Sequence, residues 1–190
     1  CGVAMKDRLV VGVVGLPGSG KTTFARTAEE LGFQVVIMGD VIRGEAKRRG
    51  LEPTSENLGR LMMELRRAEG EAVVAKRCIP QIEKAEGPVV VDGIRSLAEV
   101  DEFRKHYPNF KLVAVFSSPE TRFRRLYKRG RSDAPQDWNA FVERDLRELS
   151  VGVGSAMALA DHMLVNEGTL EDFRRETKRL LRELMKNERS

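Results

Sequence analysis

Gly15-Leu16-Pro17-Gly18-Ser19-Gly20-Lys21-Thr22 has the spacing G-x-x-x-x-G-K-[ST], and Thr23 follows it. Glycines at 15, 18 and 20 let the backbone turn tightly, so successive N–H groups converge on one anion. A helix beginning where the loop ends adds its partly positive amino-terminal end. Lys21 supplies a mobile cation for the β- and γ-phosphates of a nucleoside triphosphate, and the Thr22 hydroxyl a ligand for Mg2+. The run 15–23 is therefore the expected ATP cradle. The bland alternative is a glycine-rich turn with an accidental Lys-Thr. It is disfavoured because an apolar run precedes the loop and a helical pattern follows it. The glycines do not fit the G-x-G-x-x-G spacing of a dinucleotide site. The chain also lacks the H-R-D and D-F-G segments of protein kinases and any N-K-x-D guanine motif.

Two carboxylates stand where such a cradle would need them. Val89-Val-Val-Asp92 ends an apolar run with an acid. Ligands of a parallel sheet lie beyond the carboxyl ends of its strands, so Asp92 is expected beside the metal, acting on it through water. The bland alternative, an N-cap or turn residue before Gly93, is the lesser reading. In Met38-Gly-Asp-Val-Ile-Arg43, Asp40 and Arg43 are three apart on a starting helix and share one face. Arg43 can grip an acceptor's phosphate through two donors. Asp40 positions that acceptor, or takes its proton if the acceptor is a hydroxyl.

Six basic and no acidic residues lie between Arg122 and Arg131. In one reading Arg125, Arg129 and Arg131 fold over ATP as a lid and neutralise the transferring phosphoryl group, with Arg124 and Lys128 on a solvated face. In the other, the run grips RNA, which calls for aromatic stacking platforms. Only Phe123 and Tyr127 interleave, so the lid is favoured. Arg144 is expected to complete the clamp, and Trp138 either packs the hinge or touches ligand. His106 and His162 have no partner at metal-ligand spacing. Cys78, among Val73, Val74, Ala75 and Ile79, reads as a packed small side chain.

The elements that must position these groups follow from composition and patterning. The chain has 190 residues, 41% hydrophobic and 33% charged, with 33 Lys+Arg against 29 Asp+Glu. That length and balance predict one α/β domain over 5–190 and exclude a disordered chain; Cys1–Ala4 add no pattern. No run approaches the ~20 apolar residues that cross a bilayer, so no membrane role is expected. The absence of secretory-signal patterning and of a C-x-x-C predicts a cytoplasmic location. Arg outnumbers Lys by 23 to 10, and Asn and Gln total only eight, a thermophile-like balance.

Five continuous apolar runs, at 9–14, 35–38, 89–91, 112–116 and 163–165, are spaced by helical patterns. Such runs suit strands buried on both faces of a parallel sheet, with helices as crossovers. Ser96-Leu-Ala-Glu99 predicts a capping box, Ser118-Pro119 and Thr169 predict helix starts, and Pro80 is expected to kink or split the helix around it. The last helix has apolar spacing through Leu170, Phe173, Leu180, Leu181 and Leu184. Two excursions leave the core, an acceptor-side helical flap at about 41–86 and a lid at about 130–154.

G-D-V-I-R resembles the G-D-x-x-R of adenylate kinases. Asp92-Gly-Ile-Arg95 resembles their D-G-x-x-R, with Ile94 where proline is usual. Arg125-Leu-Tyr-Lys-Arg129 resembles the R-L-x-x-R before the lid of adenylate and dephospho-coenzyme A kinases. Ala160-Asp-His-Met-Leu-Val-Asn-Glu-Gly168 resembles the A-D-x-x-I-x-N-x-G of the latter. Together these span nearly the whole chain, and the nearest resemblance is to an archaeal adenylate-kinase-like family without a settled substrate. It implies the P-loop nucleoside-triphosphate hydrolase fold with strand order 2-3-1-4-5. It also implies an ATP- and Mg2+-dependent kinase with catalytic residues among Lys21, Asp40, Arg43, Asp92, Arg125 and Arg129, and makes Arg95 a further phosphate contact. The segment from Gly44 to Glu86 departs from adenylate kinase, so AMP is not carried over as the acceptor; Arg66 and Arg77 there are candidate phosphate contacts, and a solvated helix face explains them equally well. A nucleoside monophosphate is the first expectation, a hydroxyl acceptor such as dephospho-coenzyme A the second, and a nucleotide-switched RNA-associated ATPase the third.

Overall fold

A computed structural model describes residues 8–129 and 135–187. Five strands, β1 (Val10–Val14), β2 (Gln34–Ile37), β3 (Val89–Ile94), β4 (Phe110–Phe116) and β5 (His162–Val165), form one sheet in the order β2-β3-β1-β4-β5. Every neighbouring pair is parallel. The crossovers that parallel strands require are α1 (Lys21–Glu29), α2 (Met38–Arg48), α3 (Ser55–Glu69), α4 (Val73–Glu83), α5 (Leu97–His106), α6 (Pro119–Arg129), α7 (Trp138–Val151) and α8 (Val153–Ala158), and α9 (Leu170–Asn187) follows β5. This is the five-stranded P-loop architecture that the motifs imply.

β1 shows why its run is continuous and not alternating. Val10 and Val14 enter the core on the face packed by α4 and α5, while Val11 and Val13 enter the opposite core with Phe24 of α1 and Leu181 of α9. Burying one such side chain stabilises by roughly 1.5–3 kcal/mol, so the central strand admits no polar face. Gly12 lies between these valines because a Cβ there would fall 2.3 Å from Ile94 Cδ1 and 2.6 Å from Phe110 Cζ. The result is a rigid strand whose carboxyl end delivers the glycine loop to the sheet edge where β2 and β3 also end.

The flap at 41–86 consists of the remainder of α2 together with α3 and α4. α4 runs through Pro80 without a break, so of the expected kink or split the split is absent; Cys78, Ile79 and Ile82 are buried on its core face. The apolar spacing of α9 is also trimmed. Phe173, Leu180, Leu181 and Leu184 are buried, whereas Leu170 is exposed. Among the described residues no helix is long and apolar enough to cross a membrane.

Candidate active site

The glycine loop joins β1 to α1, and its shape is set by what surrounds it. Gly20 has φ +116°, a conformation that side chains other than glycine rarely adopt, and a Cβ there would lie 2.3 Å from Asn166 Nδ2. Gly15 is pinned differently: its Cβ would meet the Val115 carbonyl at 2.5 Å. Leu16 and Pro17 are half-buried, Ser19 is buried, Thr22 is exposed near the start of α1, and Thr23 is half-buried. Lys21 curls back, donating from Nζ to the carbonyls of Gly15 (2.7 Å) and Leu16 (3.2 Å). Burial lowers its pKa to about 8, opposed by the charges of Asp92 and Glu148 and reinforced by those of Arg95 and Arg144.

Three side chains from distant segments brace the loop. Asn166, just past β5, donates Nδ2 to the Ser19 carbonyl at 2.8 Å. Ser117, just past β4, donates Oγ to the Asn166 carbonyl at 2.6 Å. Arg122 on α6 is 2% exposed. It donates to the carbonyls of Ser117 (3.1 Å) and Pro17 (3.2 Å) and through two nitrogens to the Asp145 carboxylate of α7. Its guanidinium also lies 4.9 Å from the centre of the Phe141 ring. A buried arginine this fully engaged is a strut between loop and lid. Sequence reasoning missed it because within a basic run it looks like its neighbours; the signal was Asp145, whose partner the sequence does not name.

On the acceptor side, Lys21, Arg43, Asp92, Arg95 and Glu99 line one hollow of about 220 Å3, with apolar walls from Ile37, Met38, Ile42, Met62 and Val74. Asp92 ends in this hollow with Oδ1 buried and without a hydrogen-bond partner, and burial raises its carboxyl pKa against the pull of Lys21 and Arg95. An unpartnered carboxylate oxygen in the hollow that Lys21 also lines is a fitting ligand for Mg2+, a hard cation that takes oxygen ligands and keeps several waters; Thr22, next to Lys21 in the chain, adds an exposed hydroxyl.

Each arginine of the hollow already has an acid. Arg43 donates Nε to Asp40 Oδ1 at 2.9 Å and pairs with the same oxygen through Nη2, its guanidinium lying over Gly39. The Asp40 carboxylate is itself more than half exposed, beside the hollow. Arg95 Nε lies 3.6 Å from Glu148 Oε2 of α7. Glu99 accepts from the Arg95 amide at 2.8 Å and from Arg66 Nη2 at 3.2 Å. Its carboxyl pKa is raised by burial, opposed by those two arginines. Ser96 caps α5 by accepting from the Glu99 amide, but the Glu99 carboxylate reaches the Arg95 amide, one residue earlier than a capping box requires.

Several expected residues lie elsewhere. Arg66 is buried against Glu99, and Arg77 is shared between Glu45 and Glu69 at 2.9 and 2.6 Å. Both are structural ion pairs, which corrects their reading as phosphate contacts. Arg125 donates to Ser117 Oγ (2.9 Å) and the Asn166 carbonyl (3.0 Å), on the nucleotide side of the loop and outside the hollow. Burial lowers its pKa, opposed by Glu167 and assisted by Arg129. Arg129 is exposed at the end of α6. Arg131 and the first part of the lid, 130–134, lie outside the described residues. Phe123, Trp138 and Phe141 pack edge-on and tilted with ring centres 5.2–5.5 Å apart, so Trp138 holds α7 to α6. Phe123 is thereby spent on packing, which removes one of the two rings a stacking platform would use.

A sequence profile for the AAA domain matches residues 14–141. A UPF0200 protein of Hyperthermus butylicus is 49% identical over 178 residues, covering 93% of this chain and 95% of its own length. One of Methanocaldococcus jannaschii is 47% identical over 182 residues, covering 94% and 92%. Among solved structures, shikimate kinase from Acinetobacter baumannii in complex with shikimate aligns with TM-score 0.59 at 16% identity, covering 96% of each chain. A gluconokinase from Sinorhizobium meliloti aligns with TM-score 0.57 at 17% identity, covering 96% of this chain and 95% of its own. At such identities the structural likeness speaks for the fold alone.

Proposed function

The chain belongs to the UPF0200 family, and we propose that it is a P-loop phosphotransferase that moves the γ-phosphate of ATP, with Mg2+, onto a small acceptor. The observation that carries this reading is the position of Lys21: it closes the glycine loop and also lines the hollow that holds Asp92, Arg43 and Arg95. One cation thus faces both the donor's terminal phosphate and the acceptor's place.

The residues divide the work as follows. Main-chain amides of 15–23 and the start of α1 hold the triphosphate. Thr22, and Asp92 through water, would hold Mg2+, which would supply neutralisation of charge on the phosphates. Lys21 displaces its two carbonyl contacts to meet the γ-phosphate. Arg125 and Arg129 approach from the lid side. Phosphoryl transfer needs positioning and charge neutralisation more than a reactive side chain, so the absence of an obvious nucleophile fits.

Two acceptor classes suit such a hollow. A nucleoside monophosphate would place its phosphate on Arg43 and Arg95. A hydroxyl acceptor would use Asp40 for its proton, and the pairing of both arginines with acids already in place favours it. The proteins of like fold include kinases named for shikimate and gluconate, which agrees with that second class. The test is calorimetric titration of a non-hydrolysable ATP analogue with and without Mg2+, alongside γ-phosphate transfer assays, using Lys21→Ala as the comparison. Binding and transfer should both fall by at least ~100-fold in the variant; undiminished transfer would overturn the reading. RNA-stimulated ATP hydrolysis with no small acceptor would replace it with the switch-ATPase alternative.

A further inference from the structure

Resting on the phosphotransferase reading, we infer that the acceptor is a small hydroxylated anion, an alcohol carrying one carboxylate or phosphate, and that the hollow rejects nucleoside monophosphates.

Size is the first argument. The hollow holds about 220 Å3, below the roughly 300–1,000 Å3 of pockets that enclose drug-sized ligands. A nucleotide with its base, ribose and phosphate belongs to that larger class, and so does dephospho-coenzyme A.

The lining is the second. The described residues around the hollow include no aromatic ring and no amide side chain. A nucleobase is held by stacking on aromatic faces and by polar groups matched to its edge, and neither is provided here. The polar side chains are all charged: Lys21, Arg43 and Arg95 as donors, Asp92 and Glu99 as acceptors. Asp92 Oδ1 has no partner. Each Glu99 oxygen takes one hydrogen bond and, as a carboxylate oxygen, can take another. Carboxylates that line the hollow select ligand hydroxyls, Glu99 among them even with Asp92 engaged by Mg2+ and its waters.

Charge is the third. Arg43 and Arg95 are held by Asp40 and Glu148. A nucleoside monophosphate whose phosphate bridged both arginines would displace both carboxylates. An alcohol whose single anionic group takes Arg43 alone displaces only one. If its anion takes Arg43, the carboxylate of Asp40 is released next to the reacting hydroxyl. The hydroxyl oxygen then forms a bond to the γ-phosphorus while the bond from that phosphorus to the β,γ-bridging oxygen breaks. ADP leaves with that electron pair, and the hydroxyl proton passes to Asp40.

The experiment incubates the full chain with ATP and Mg2+ and follows ADP release and phosphorus NMR. The probes are gluconate, shikimate, glycerol 3-phosphate, AMP, CMP and dephospho-coenzyme A. At least one of the first three should raise ADP release ~100-fold over the acceptor-free rate and give a new phosphate monoester. Asp40→Asn should lower that transfer by ~10²–10⁴-fold, the span of general-base contributions, while leaving the melting temperature near that of the parent. A diphosphate product from AMP or CMP overturns the inference, as does phosphorylation of dephospho-coenzyme A, silence of all three small anions, or full activity of Asp40→Asn. Binding of the ATP analogue, measured in the same samples, tells these outcomes from failure of the underlying reading, in which the nucleotide itself would not bind.

Discussion

Arg122 and Asp145 are joined by two hydrogen bonds, at 2.8 and 2.5 Å, in a setting where the arginine is 2% exposed. The same guanidinium holds the carbonyl of Pro17, so one ion pair ties the triphosphate loop, the end of β4 and helix α7 together. Helix α7 is therefore docked against the glycine loop, and Glu148, three residues beyond Asp145, is delivered to Arg95 by that docking.

Removing one partner of this pair leaves an uncompensated buried charge. Asp145→Ala should cost about 3–5 kcal/mol, read as a lowered urea midpoint. The replacement of both partners, Arg122→Met with Asp145→Leu, should be much milder than the sum of the single changes. Additivity of the two would show that they do not act as a pair.

Lys21 gives a pH signature. Its folded pKa, about 8, lies below the ordinary lysine value of 10.5. Between those values the unfolded chain binds more protons than the native one, so stability should rise with pH from about 8 to about 10.5. Triphosphate binding restores the ammonium, so the ATP analogue should take up protons on binding at pH 9 and not at pH 6. Calorimetry in buffers of different ionisation enthalpy reads this directly; equal apparent enthalpies at pH 9 would contradict it.

Asp92 is a desolvated carboxylate with an orphan oxygen, and its folded pKa is raised. Its charge therefore destabilises the native state at pH values above its ordinary range, and that cost is relieved as pH falls through the raised pKa. Asp92→Asn should lift the melting temperature by a few degrees, about 1 kcal/mol at this chain length, while Mg2+-dependent transfer drops by ~100-fold. A lower melting temperature would mean that the carboxylate is a structural anchor.

Gly20→Ala tests the loop. A residue other than glycine at φ +116° costs about 1–3 kcal/mol, and the Asn166 amide 2.3 Å from the new methyl must move. Stability should fall by that amount, and analogue affinity should fall more than 10-fold as the Ser19 carbonyl loses its brace. Unchanged affinity would show that Asn166 does not shape the cradle.

What the sequence determined is the chemistry written in consecutive residues. Residues 15–23 state a triphosphate cradle, because adjacent amides must converge and only glycines permit the turn. Asp40 with Arg43 states a shared face, because residues three apart on a helix lie on one side; that they pair with each other is a finding of the structure. The continuous apolar runs state a doubly covered parallel sheet, because a strand buried on both sides has no polar face to show. Tertiary structure alone decided the rest. Asn166 meets Ser19 across 147 residues, Arg122 meets Asp145 across 23, and Glu148 of α7 meets Arg95 at the end of β3. No local periodicity encodes such pairs, since they depend on which strand lies next to which and on how α7 settles over the loop. Arg66 is the instructive case: on a helix it looks like any solvated arginine, and only the folded arrangement that brings it to Glu99 of α5 buries it. The depth at which a charge comes to rest, and so whether it braces the fold or waits for a ligand, is fixed by packing and not by spelling.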